Sequence, residues 1–420
     1  MRILLVHNYY KSFGGEDAVF NEEASLLEDR GITIRRFSAS STEINSSLGR
    51  LSAGLGLIYN PAARRRLRKA ISDFSPEIVH VHNFFPLLSP SIFDACREAN
   101  VASVLTLHNF RILCPGALLY ADEVLRERSL QNSCWWTVQK RVYRNSWIAT
   151  LALAGMVEYH KRVRTWATKV DRFVALSEWS RNKFVSGGLP PDRISVKPNA
   201  VSYCTVPTQS SRQGALFVGR LDEQKGLKIL LEAWQHLSVP LRIIGEGPLS
   251  EHVKESSSPH ITYLGRQTRE IVEHEMLRAK FLVFPSIGHE MCPLTIIEAF
   301  ARHLPVICSD LPSIRDLVKA GQTGLTFRPA DPGSLRRVVQ LADMDAEGLK
   351  RIADRAYTAY EKRYSPDANF SQLMRIYAAA MQRKRLLRPT TDLHQSTLMP
   401  KRDGIHDDPG AGVKQCRGTY

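Results

Sequence analysis

Short runs of apolar residues recur along the chain, and segments with helical periodicity separate them. In the first part the runs predict five buried strands: Ile3–His7, Ile32–Phe37, Ile78–His82, Val101–His108 and Phe173–Ser177. Apolar residues three or four positions apart predict the intervening helices, at Ala18–Asp29, Ala62–Ile71, Ser91–Glu98 and within Val138–Thr168. Strands that alternate with helices predict an α/β fold with a parallel sheet covered on both faces.

The same alternation restarts after residue 213. It predicts a further six strands: Ala215–Val218, Leu241–Ile244, Ile261–Leu264, Phe281–Phe284, Val306–Cys308 and Leu325–Phe327. The clearest helix there is Leu227–Leu237, whose leucines share one stripe with Trp234. Two Rossmann-like α/β domains of similar size should face each other across a ligand cleft.

The predicted domain boundaries follow from where this alternation stops. Residues 1–198 form the first domain, 199–213 a polar linker rich in Pro, Ser, Thr and Gln, and 214–363 the second domain. Helical periodicity continues to about Arg385 with a break at Ser365–Pro366, so 364–386 are predicted as terminal helices that pack back on the first domain. Residues 387–420 lack periodicity, which predicts a disordered tail.

The composition is that of a globular protein, with 43% apolar and 24% charged residues among 420. A net charge of +15 favours acidic partners such as nucleotides and phospholipid headgroups, but no nucleic-acid-binding motif accompanies it. The seven scattered cysteines predict free thiols in a reducing cytosol. The longest apolar stretch, Trp147–Val157, is shorter than the ~20 residues of a membrane-spanning helix, and the N-terminus lacks a signal-peptide pattern. We expect a cytoplasmic protein.

The stretch Phe281–Asp310 is the most informative part of the sequence because it places two carboxylates in a strand–turn–helix–strand unit. Glu290 lies in the turn after the first strand, where open α/β sheets bind ligands. Glu298 shares a helical stripe with apolar residues, and a buried carboxylate needs a partner that ligand hydroxyls could supply. Alternatively, Glu290 stabilises the helix dipole and Glu298 belongs to a core salt bridge.

The start of this helix is a second candidate site. Pro293 suits the first helical position because its missing N–H has no intrahelical partner there. The free N–H groups around Leu294 and Thr295 would then form an anion site beside Glu290.

Glycines and cations after other strands point to the same cleft. Gly219 follows a strand directly, and Arg220 and Lys225 could converge on one phosphate, although the spacing is not that of a P-loop. Gly14 and Gly15 follow the first strand, where they either lie against a ligand or form a flexible connector. The turn from Gly245 to Gly247 is more typical of an architectural role.

Three histidines lie at the ends of predicted strands in the first domain. His80 and His82 share one strand face, and structural hydrogen bonds are favoured over metal binding because no third ligand can be located. His108 ends its strand at the predicted cleft, where a neutral imidazole can hydrogen-bond a hydroxyl.

Two basic segments could meet other surfaces. Arg64–Lys69 is a charge run on a short helix. The segment Val138–Trp166 and its flank combine arginines and lysines with tryptophans, at Trp135, Trp136, Trp147 and Trp166. Tryptophan with basic residues on a helix fits contact with an anionic membrane, and a solvated helix face is the alternative.

Taken together, these motifs resemble a retaining family-4 glycosyltransferase of the GT-B fold over roughly residues 1–385. The resemblance rests on Gly219–Gly226, Gly245–Pro248, and Glu290 followed seven residues later by Glu298, in that order. The sequence from Val79 to Cys96 and from Val104 to Gly116 further resembles bacterial members that build exopolysaccharide, capsule or lipopolysaccharide.

The resemblance implies a role for each candidate residue. Arg220 and Lys225 would bind the donor diphosphate and stabilise its leaving charge, Glu290 would hold the donor sugar, and Glu298 would accept hydrogen bonds from the ribose. His108 would face the transferred sugar. In the same way Gly14, Gly15, Leu294 and Thr295 would complete the donor site. No metal or other cofactor is implied, and the co-substrate would be a UDP- or GDP-sugar with a glycan or lipid-linked acceptor.

The sequence departs from the family pattern in the second domain. His303 stands where a glycine is usual, and Leu311, Pro312, Ser313 and Asp316 replace an expected glycine pair and glutamate. Two other functions remain open: a nucleotide-sugar 2-epimerase on the same fold, and a non-catalytic accessory protein that binds a nucleotide or glycan.

Overall fold

The computed structural model describes residues 1–11, 13–43, 56–121, 124–203, 212–256 and 259–387, which form two six-stranded parallel sheets. Residues 204–211 of the predicted linker and 388–420 of the predicted tail lie outside the described residues. The α/β class and the pair of Rossmann-like units predicted from the sequence are confirmed.

The first sheet has the strand order β2–β1–β3–β4–β7–β8. Its strands are Arg2–Tyr9 (β1), Thr33–Ser40 (β2), Ile78–Val81 (β3), Ala102–Leu107 (β4), Arg172–Ala175 (β7) and Ile194–Val196 (β8). A two-stranded hairpin, Tyr120–Ala121 (β5) and Val124–Leu125 (β6), lies outside this sheet. The sequence pattern did not reveal β8 or the hairpin, because runs of two or three residues are too short to show a period.

The second sheet has the order β11–β10–β9–β12–β13–β14. Its strands are Ala215–Val218 (β9), Leu241–Ile244 (β10), Ile261–Gly265 (β11), Phe281–Phe284 (β12), Val306–Ser309 (β13) and Leu325–Phe327 (β14). This is the order of a doubly wound dinucleotide-binding fold. The predicted strands agree with these bounds to within one residue. The pattern is clearest for Phe281–Phe284, which is buried on both faces and is therefore an uninterrupted apolar run.

Helices cover both sheets. The helices of the first part are Gly15–Asp29 (α1), Pro61–Phe74 (α2), Ile92–Glu98 (α3), Arg128–Gln131 (α4), Trp136–Gln139 (α5), Trp147–Arg162 (α6), Thr165–Lys169 (α7) and Glu178–Ser186 (α8). Those of the second part are Leu227–Trp234 (α9), Ser250–Glu255 (α10), Arg269–Arg278 (α11), Leu294–Ala301 (α12), Pro332–Met344 (α13), Ala346–Arg363 (α14) and Pro366–Leu386 (α15). Single turns of 3₁₀-helix lie at Ser41–Glu43 and Pro191–Arg193. In the part of the chain that the structure describes, no helix combines the length and apolarity needed to cross a membrane.

The last helix, α15, crosses back to the first sheet. Leu373 and Tyr377 of α15 are buried in one cluster with Ile3 and Leu5 of β1. The alternate residues of β1, Leu4 and Val6, are buried in a different cluster on the other face of the sheet. Burial on both faces makes β1 a central element of the first sheet, and α15 a structural part of the domain it packs on.

Two loops of the second domain approach each other closely at Gly226. Gly226 has a φ of 72°, and a Cβ atom there would overlap the carbonyl oxygen of Pro285. Only glycine fits a left-handed position with a backbone neighbour this close. Gly226 therefore lets the loop after β9 lie against the loop after β12.

We expect Gly226→Ala to lower the free energy of unfolding by at least about 1–3 kcal/mol, the usual cost of a non-glycine residue in a strained backbone region. Thermal unfolding followed by circular dichroism measures the change. Gly155→Ala in α6 is the matched control, because a Cβ there meets nothing within 4 Å and alanine favours helix. An unchanged melting temperature in Gly226→Ala would contradict the expectation.

Candidate active site

The second sheet changes direction between β9 and β12. These strands are neighbours, yet the chain continues from β9 to β10 on one side and from β12 to β13 on the other. Loops that leave such a switch point diverge and open a crevice at the carboxyl ends of the strands. The loop after β9 carries Arg220 and Lys225, and the loop after β12 carries Glu290.

The structure brings Lys225 and Glu290 together, although 65 positions separate them. Lys225 Nζ lies 2.6 Å from Glu290 Oε1, and the two side chains are 28% and 16% exposed. Ser286 Oγ donates to the same carboxylate oxygen at 2.9 Å, and the backbone N–H of Glu290 donates to Ser313 Oγ at 3.2 Å. The carboxylate is thus fixed in direction at the mouth of the crevice, next to a cation.

Arg220 is the more accessible cation. Its side chain is 69% exposed, and its Nε lies 3.3 Å from Asp222 Oδ2. The other oxygen of Asp222 accepts a hydrogen bond from the backbone N–H of Lys225 at 3.0 Å. Asp222 therefore sets the shape of this loop, a role that the sequence interpretation missed because an aspartate in a turn has many other uses.

The start of α12 lies beside Glu290. The sequence predicted Pro293 at the first helical position. The helix instead begins at Leu294, and Pro293 precedes its first turn. No side chain caps this end of the helix, and no acidic residue lies in its first turn. The backbone N–H groups of Leu294 and Thr295 therefore have no capping side chain as an acceptor. Free N–H groups at the start of a helix favour the binding of an anion.

Glu298 is half-buried on α12. Burial raises the pKa of Glu298, with a partial opposing effect from Arg302. Among the described residues its carboxylate makes no hydrogen bond. The neighbouring Arg302 donates to the backbone carbonyl of Glu298, at 3.0 Å, and not to its side chain. The side chain is thus neither the core salt bridge considered above nor a fully solvated acid.

Gly14 and Gly15 form the exposed start of α1, after β1 in the first domain. The backbone N–H of Gly14 donates to Asp17 Oδ2 at 2.8 Å, while His7 Nε2 lies 2.7 Å from the other oxygen of Asp17. A Cβ atom at Gly15 would meet nothing within 4 Å. The turn at Gly14 and Gly15 is therefore braced by Asp17, with open space beside it.

His108 follows β4 at the same edge of the first sheet and is half-buried. Its Nε2 lies 3.1 Å from Nδ1 of His82, and Nε2 of His82 lies 3.1 Å from Glu23 Oε1. Burial lowers the pKa of His82 to about 4 and lowers that of His108 well below its usual value. Both rings are neutral at physiological pH.

The third potential metal ligand beside His80 and His82, which could not be located from the sequence, is Glu23 of α1. Glu23, His80 and His82 place potential ligand atoms within 4.8 Å of one another. However, Lys197 Nζ lies 2.8 Å from Glu23 Oε2, and an ammonium group this close opposes a cation. His80 is also held on both sides, at 2.8 Å from the hydroxyls of Tyr377 and Thr106. The donor set does not favour a metal ion.

The residues that depart from the family pattern have defined contacts. Ser313 fixes the backbone of Glu290 as described above. Asp316 Oδ2 accepts a hydrogen bond at 2.7 Å from the backbone N–H of Trp179, at the start of α8 in the first domain. His303 adopts a φ of 49°, in the left-handed region that favours glycine, and its ring stacks on Tyr357 with centroids 4.0 Å apart. The sequence pattern could not reveal these contacts because their partners are distant along the chain.

Glu16 is a further ionisable group at the glycine turn. Its Oε1 accepts from Asn109 Nδ2, and its Oε2 is buried without a hydrogen-bond partner among the described residues. Burial raises the pKa of Glu16 to about 7, against the opposing hydrogen bond from Asn109. A carboxyl that changes charge near neutral pH therefore lies beside Gly15.

Comparison with known proteins assigns the chain to a family. A family model described as Glycosyltransferase Family 4 matches residues 39–203, and one described as Glycosyl transferases group 1 matches residues 212–342. The first match covers the first sheet from the end of β2 onward, and the second covers all six strands of the second sheet. The chain is a family-4 glycosyltransferase of the GT-B fold.

Named relatives extend over most of the chain. The phosphatidyl-myo-inositol mannosyltransferase of Mycobacterium leprae is 24% identical over 405 residues, covering 90% of this chain and 96% of the relative. The alpha-D-kanosaminyltransferase of Streptomyces kanamyceticus is 22% identical over 75% of this chain and 79% of its own length. The relatives share glycosyl transfer and differ in what their names say they act on.

Solved structures show the same fold at low sequence identity. HepE of Anabaena, in complex with UDP and glucose, superposes with a TM-score of 0.63 at 16% identity, covering 90% of this chain and all of that one. The sucrose-phosphate synthase of Thermosynechococcus elongatus gives a TM-score of 0.66 at 16% identity, covering 90% and 98%.

We expect Glu16→Gln to gain stability relative to the wild type as the pH rises from about 5 to about 8. An unfolded glutamate has a pKa of about 4.3, so between that value and about 7 the folded wild type binds more protons than the unfolded chain. Its free energy of unfolding therefore falls as the pH rises through this window, whereas the amide of the variant does not ionise. Melting temperatures measured across the window test this, with Glu251→Gln as an exposed control. A difference independent of pH would contradict it.

Proposed function

We propose that this protein transfers a hexose from a UDP- or GDP-sugar to a growing glycan or lipid-linked acceptor in bacterial cell-surface polysaccharide synthesis, with retention of configuration and without a metal ion. The observation that carries the proposal is the Lys225–Glu290 pair at the switch point of the second sheet. A nucleoside diphosphate sugar offers an anion and neutral hydroxyls side by side, which matches a cation next to a fixed carboxylate.

The geometry supports a division of roles between the two members of the pair. When a donor binds, its diphosphate would pair with Lys225 and Arg220, and Glu290, still held by Ser286, would accept hydrogen bonds from the sugar hydroxyls. Uncapped N–H groups at Leu294 and Thr295 would add donors for the phosphate oxygens. Glu298 would accept from the ribose hydroxyls, because its half-buried carboxylate lacks another partner among the described residues.

Leaving-group stabilisation is then the main contribution of the protein. Charge develops on the diphosphate as the glycosidic bond breaks, and fixed cations in a cleft of low dielectric stabilise that charge more than water does. Lys225 and Ser286 both donate to one oxygen of Glu290, and in this proposal that carboxylate holds the sugar. We therefore assign no protein nucleophile, and the leaving phosphate would take the proton of the acceptor hydroxyl on the same face.

The first domain would complete the site. The braced turn at Gly14 and Gly15 and the neutral ring of His108 lie at the carboxyl edge of the first sheet, where the turn would lie against the donor phosphate or the acceptor and His108 would face the transferred sugar. Bound UDP in the structure of HepE supports a uridine nucleotide as the first donor to test. Lys225, Arg220 and the start of α12 would serve in place of a divalent cation, so activity should persist in EDTA.

We expect Lys225→Ala to reduce donor turnover by about a hundredfold or more, since it removes a group that stabilises leaving charge. We expect Glu298→Ala to weaken donor binding by about tenfold, the value of one hydrogen bond to a charged group. Hydrolysis of a panel of UDP- and GDP-sugars, assayed with EDTA present, and thermal shift on donor binding measure both effects. Lys228→Ala is the matched control, because Lys228 is an exposed cation in the same loop–helix segment, paired with Glu223.

Product analysis separates the alternative functions. Release of free sugar and nucleoside diphosphate supports transfer, whereas recovery of an epimeric nucleotide sugar would identify an epimerase. Donor binding without turnover would identify an accessory protein. Donor binding that is equally strong in the wild type, Lys225→Ala and Glu298→Ala would overturn the assignment of the site.

We also propose that α6 contacts an anionic lipid surface. Near its start it exposes the apolar side chains of Trp147 (54%), Ile148 (78%) and Leu151 (40%). Exposed basic residues flank them, at Arg141, Arg144, Lys161, Arg162 and Arg164. An apolar face bordered by cations is complementary to a membrane with negative headgroups. The tryptophan set is smaller than the sequence implied, because Trp166 is buried and Trp136 is half-buried, with its Nε1 donating to Ser129.

We expect the protein to float with vesicles that contain phosphatidylglycerol and to remain unbound with vesicles of phosphatidylcholine alone. The double variant Trp147→Ser/Ile148→Ser should lose most of this binding. Leu341→Ser/Met344→Ser is the control, because these side chains are equally exposed apolar residues on α13 of the second domain. Equal flotation of both variants would show that the surface of α6 is not the contact.

A further inference from the structure

A chain of buried polar groups extends from the cleft to the linker between the domains. It begins at His108, passes through His82 to Glu23, and ends at Lys197, which directly follows β8. His82, Glu23 and Lys197 are only 3%, 4% and 1% exposed. Buried polar networks are costly unless every member is satisfied, so the direction of each hydrogen bond in this chain is constrained.

The charge of Glu23 determines the direction of the hydrogen bonds in this chain. Lys197 Nζ lies 2.8 Å from Glu23 Oε2 and also donates to Asn369 Oδ1 at 3.2 Å. Burial alone would raise the pKa of Glu23, but the Lys197 ammonium and the neighbouring rings hold it well below its usual value. Glu23 is therefore a carboxylate, which can only accept hydrogen bonds.

The position of each histidine proton follows from this. Glu23 Oε1 lies 3.1 Å from Nε2 of His82 and can only accept, so the proton of His82 must be on Nε2. A neutral imidazole carries one proton, so Nδ1 of His82 is an acceptor. Nε2 of His108, at 3.1 Å from that atom, must then carry the proton of His108. Nδ1 of His108 is left bare, and among the described residues it has no hydrogen-bond partner.

We propose that Glu23 acts through His82 to hold the neutral His108 ring with a bare Nδ1 at the cleft, where this nitrogen accepts a hydrogen bond from a hydroxyl of the transferred sugar. Glu23 and His82 are positioning residues, and the inference rests on the proposed sugar transfer. A bare nitrogen accepts from a hydroxyl but repels a phosphate oxygen, so the arrangement would select a sugar over a phosphate at this point of the cleft.

His80 lies beside this chain without belonging to it. Its Nδ1 lies 2.8 Å from the Tyr377 hydroxyl and 3.1 Å from Glu23 Oε1, and its Nε2 lies 2.8 Å from Thr106 Oγ1. None of these contacts reaches His108. Tyr377→Phe therefore disturbs the same buried region but leaves the connection from Glu23 to His108 unchanged, which makes it the matched control.

The decisive variant is Glu23→Gln. The Lys197 ammonium can only donate, so it would orient the new amide with its oxygen toward Lys197 and its NH₂ toward His82. The NH₂ group would donate to Nε2 of His82, and the protons of His82 and then of His108 would move to Nδ1. The side chain is nearly isosteric, but His108 would offer a donor to the cleft instead of an acceptor.

Nitrogen-15 NMR of the full-length protein labelled at histidine measures the proton positions directly, and His108→Phe identifies the signals of that ring. We expect a bare Nδ1 at His108 in the wild type and in Tyr377→Phe, and a protonated Nδ1 in Glu23→Gln. Protonated Nδ1 in the wild type, or an unchanged His108 in folded Glu23→Gln, would overturn the inference. If Glu23→Gln does not fold, the wild-type spectrum alone tests the inference, because it shows whether His108 Nδ1 is unprotonated and His82 Nε2 is protonated.

Kinetics with donors in which one sugar hydroxyl at a time is replaced by fluorine test the consequence for the substrate. Fluorine cannot donate a hydrogen bond, so replacing the hydroxyl that contacts His108 should lower kcat/KM of the wild type about tenfold. His108→Phe identifies this position, because there the variant should lose the preference for hydroxyl over fluorine. Tyr377→Phe should keep the preference and Glu23→Gln should lose it. A preference retained in Glu23→Gln contradicts the inference. Absence of turnover with every donor would refute the proposed function, while the NMR result would still decide the proton positions.

Discussion

The ion pair between Glu23 and Lys197 connects the parts of the molecule on which the site depends. Glu23 lies on α1, the helix that begins at the glycine turn, and Lys197 directly follows the last strand of the first sheet. Asn369 of α15 joins them by accepting from Lys197 and donating to the carbonyl of Pro198 at 2.9 Å. Removing one partner of such a buried pair typically costs about 3–5 kcal/mol, because the other charge remains without compensation. One buried charge pair thus links α1, His82 and the segment that leads to the second domain.

The two sides of the cleft differ in electrostatic character. The second domain presents cations beside a carboxylate, with Arg220 and Lys225 next to Glu290. The first domain presents neutral imidazole at His108, because burial disfavours the charged form of the ring. A donor with a charged diphosphate and an uncharged sugar would meet a matching surface on each side.

Direct contacts already hold the two domains against each other near the site. Asp316 accepts from the backbone N–H of Trp179 at 2.7 Å, and the Trp179 ring lies 4.4 Å from that of His289, between centroids. Arg269 of α11 lies 2.6 Å from Glu22 of α1. Asp316 is one of the positions at which the sequence departs from the expected family pattern. Here its carboxylate binds the start of α8 across the domain boundary.

Most strands of the two sheets could be predicted from the sequence, and most easily those buried on both faces, such as Phe281–Phe284, because such burial leaves an uninterrupted apolar run. Short elements such as Ile194–Val196 could not, and neither could the start of α12 to the residue. The motif residues at Arg220, Lys225, Glu290 and Glu298 were recognisable by type and order. Their partners were not: Ser286, Ser313 and Asp222 are common turn residues, and Trp166 looks the same in a sequence whether it faces lipid or the core, where it packs on Phe84 and Phe93.

The sequence alone determined the fold class, the order of the strands along the chain and the identity of the charged groups at the cleft, because each of these depends on local periodicity or on residue type. Only the tertiary structure decided that Lys225 lies against Glu290 and that Glu23 joins His82 to Lys197, 174 positions away. Parallel sheets bring strand ends from distant parts of the chain to one edge, and hydrogen-bond partners chosen there leave no periodic trace in the sequence. The direction of each proton in the buried histidine chain follows from those partners, and so it too is a property of the folded molecule.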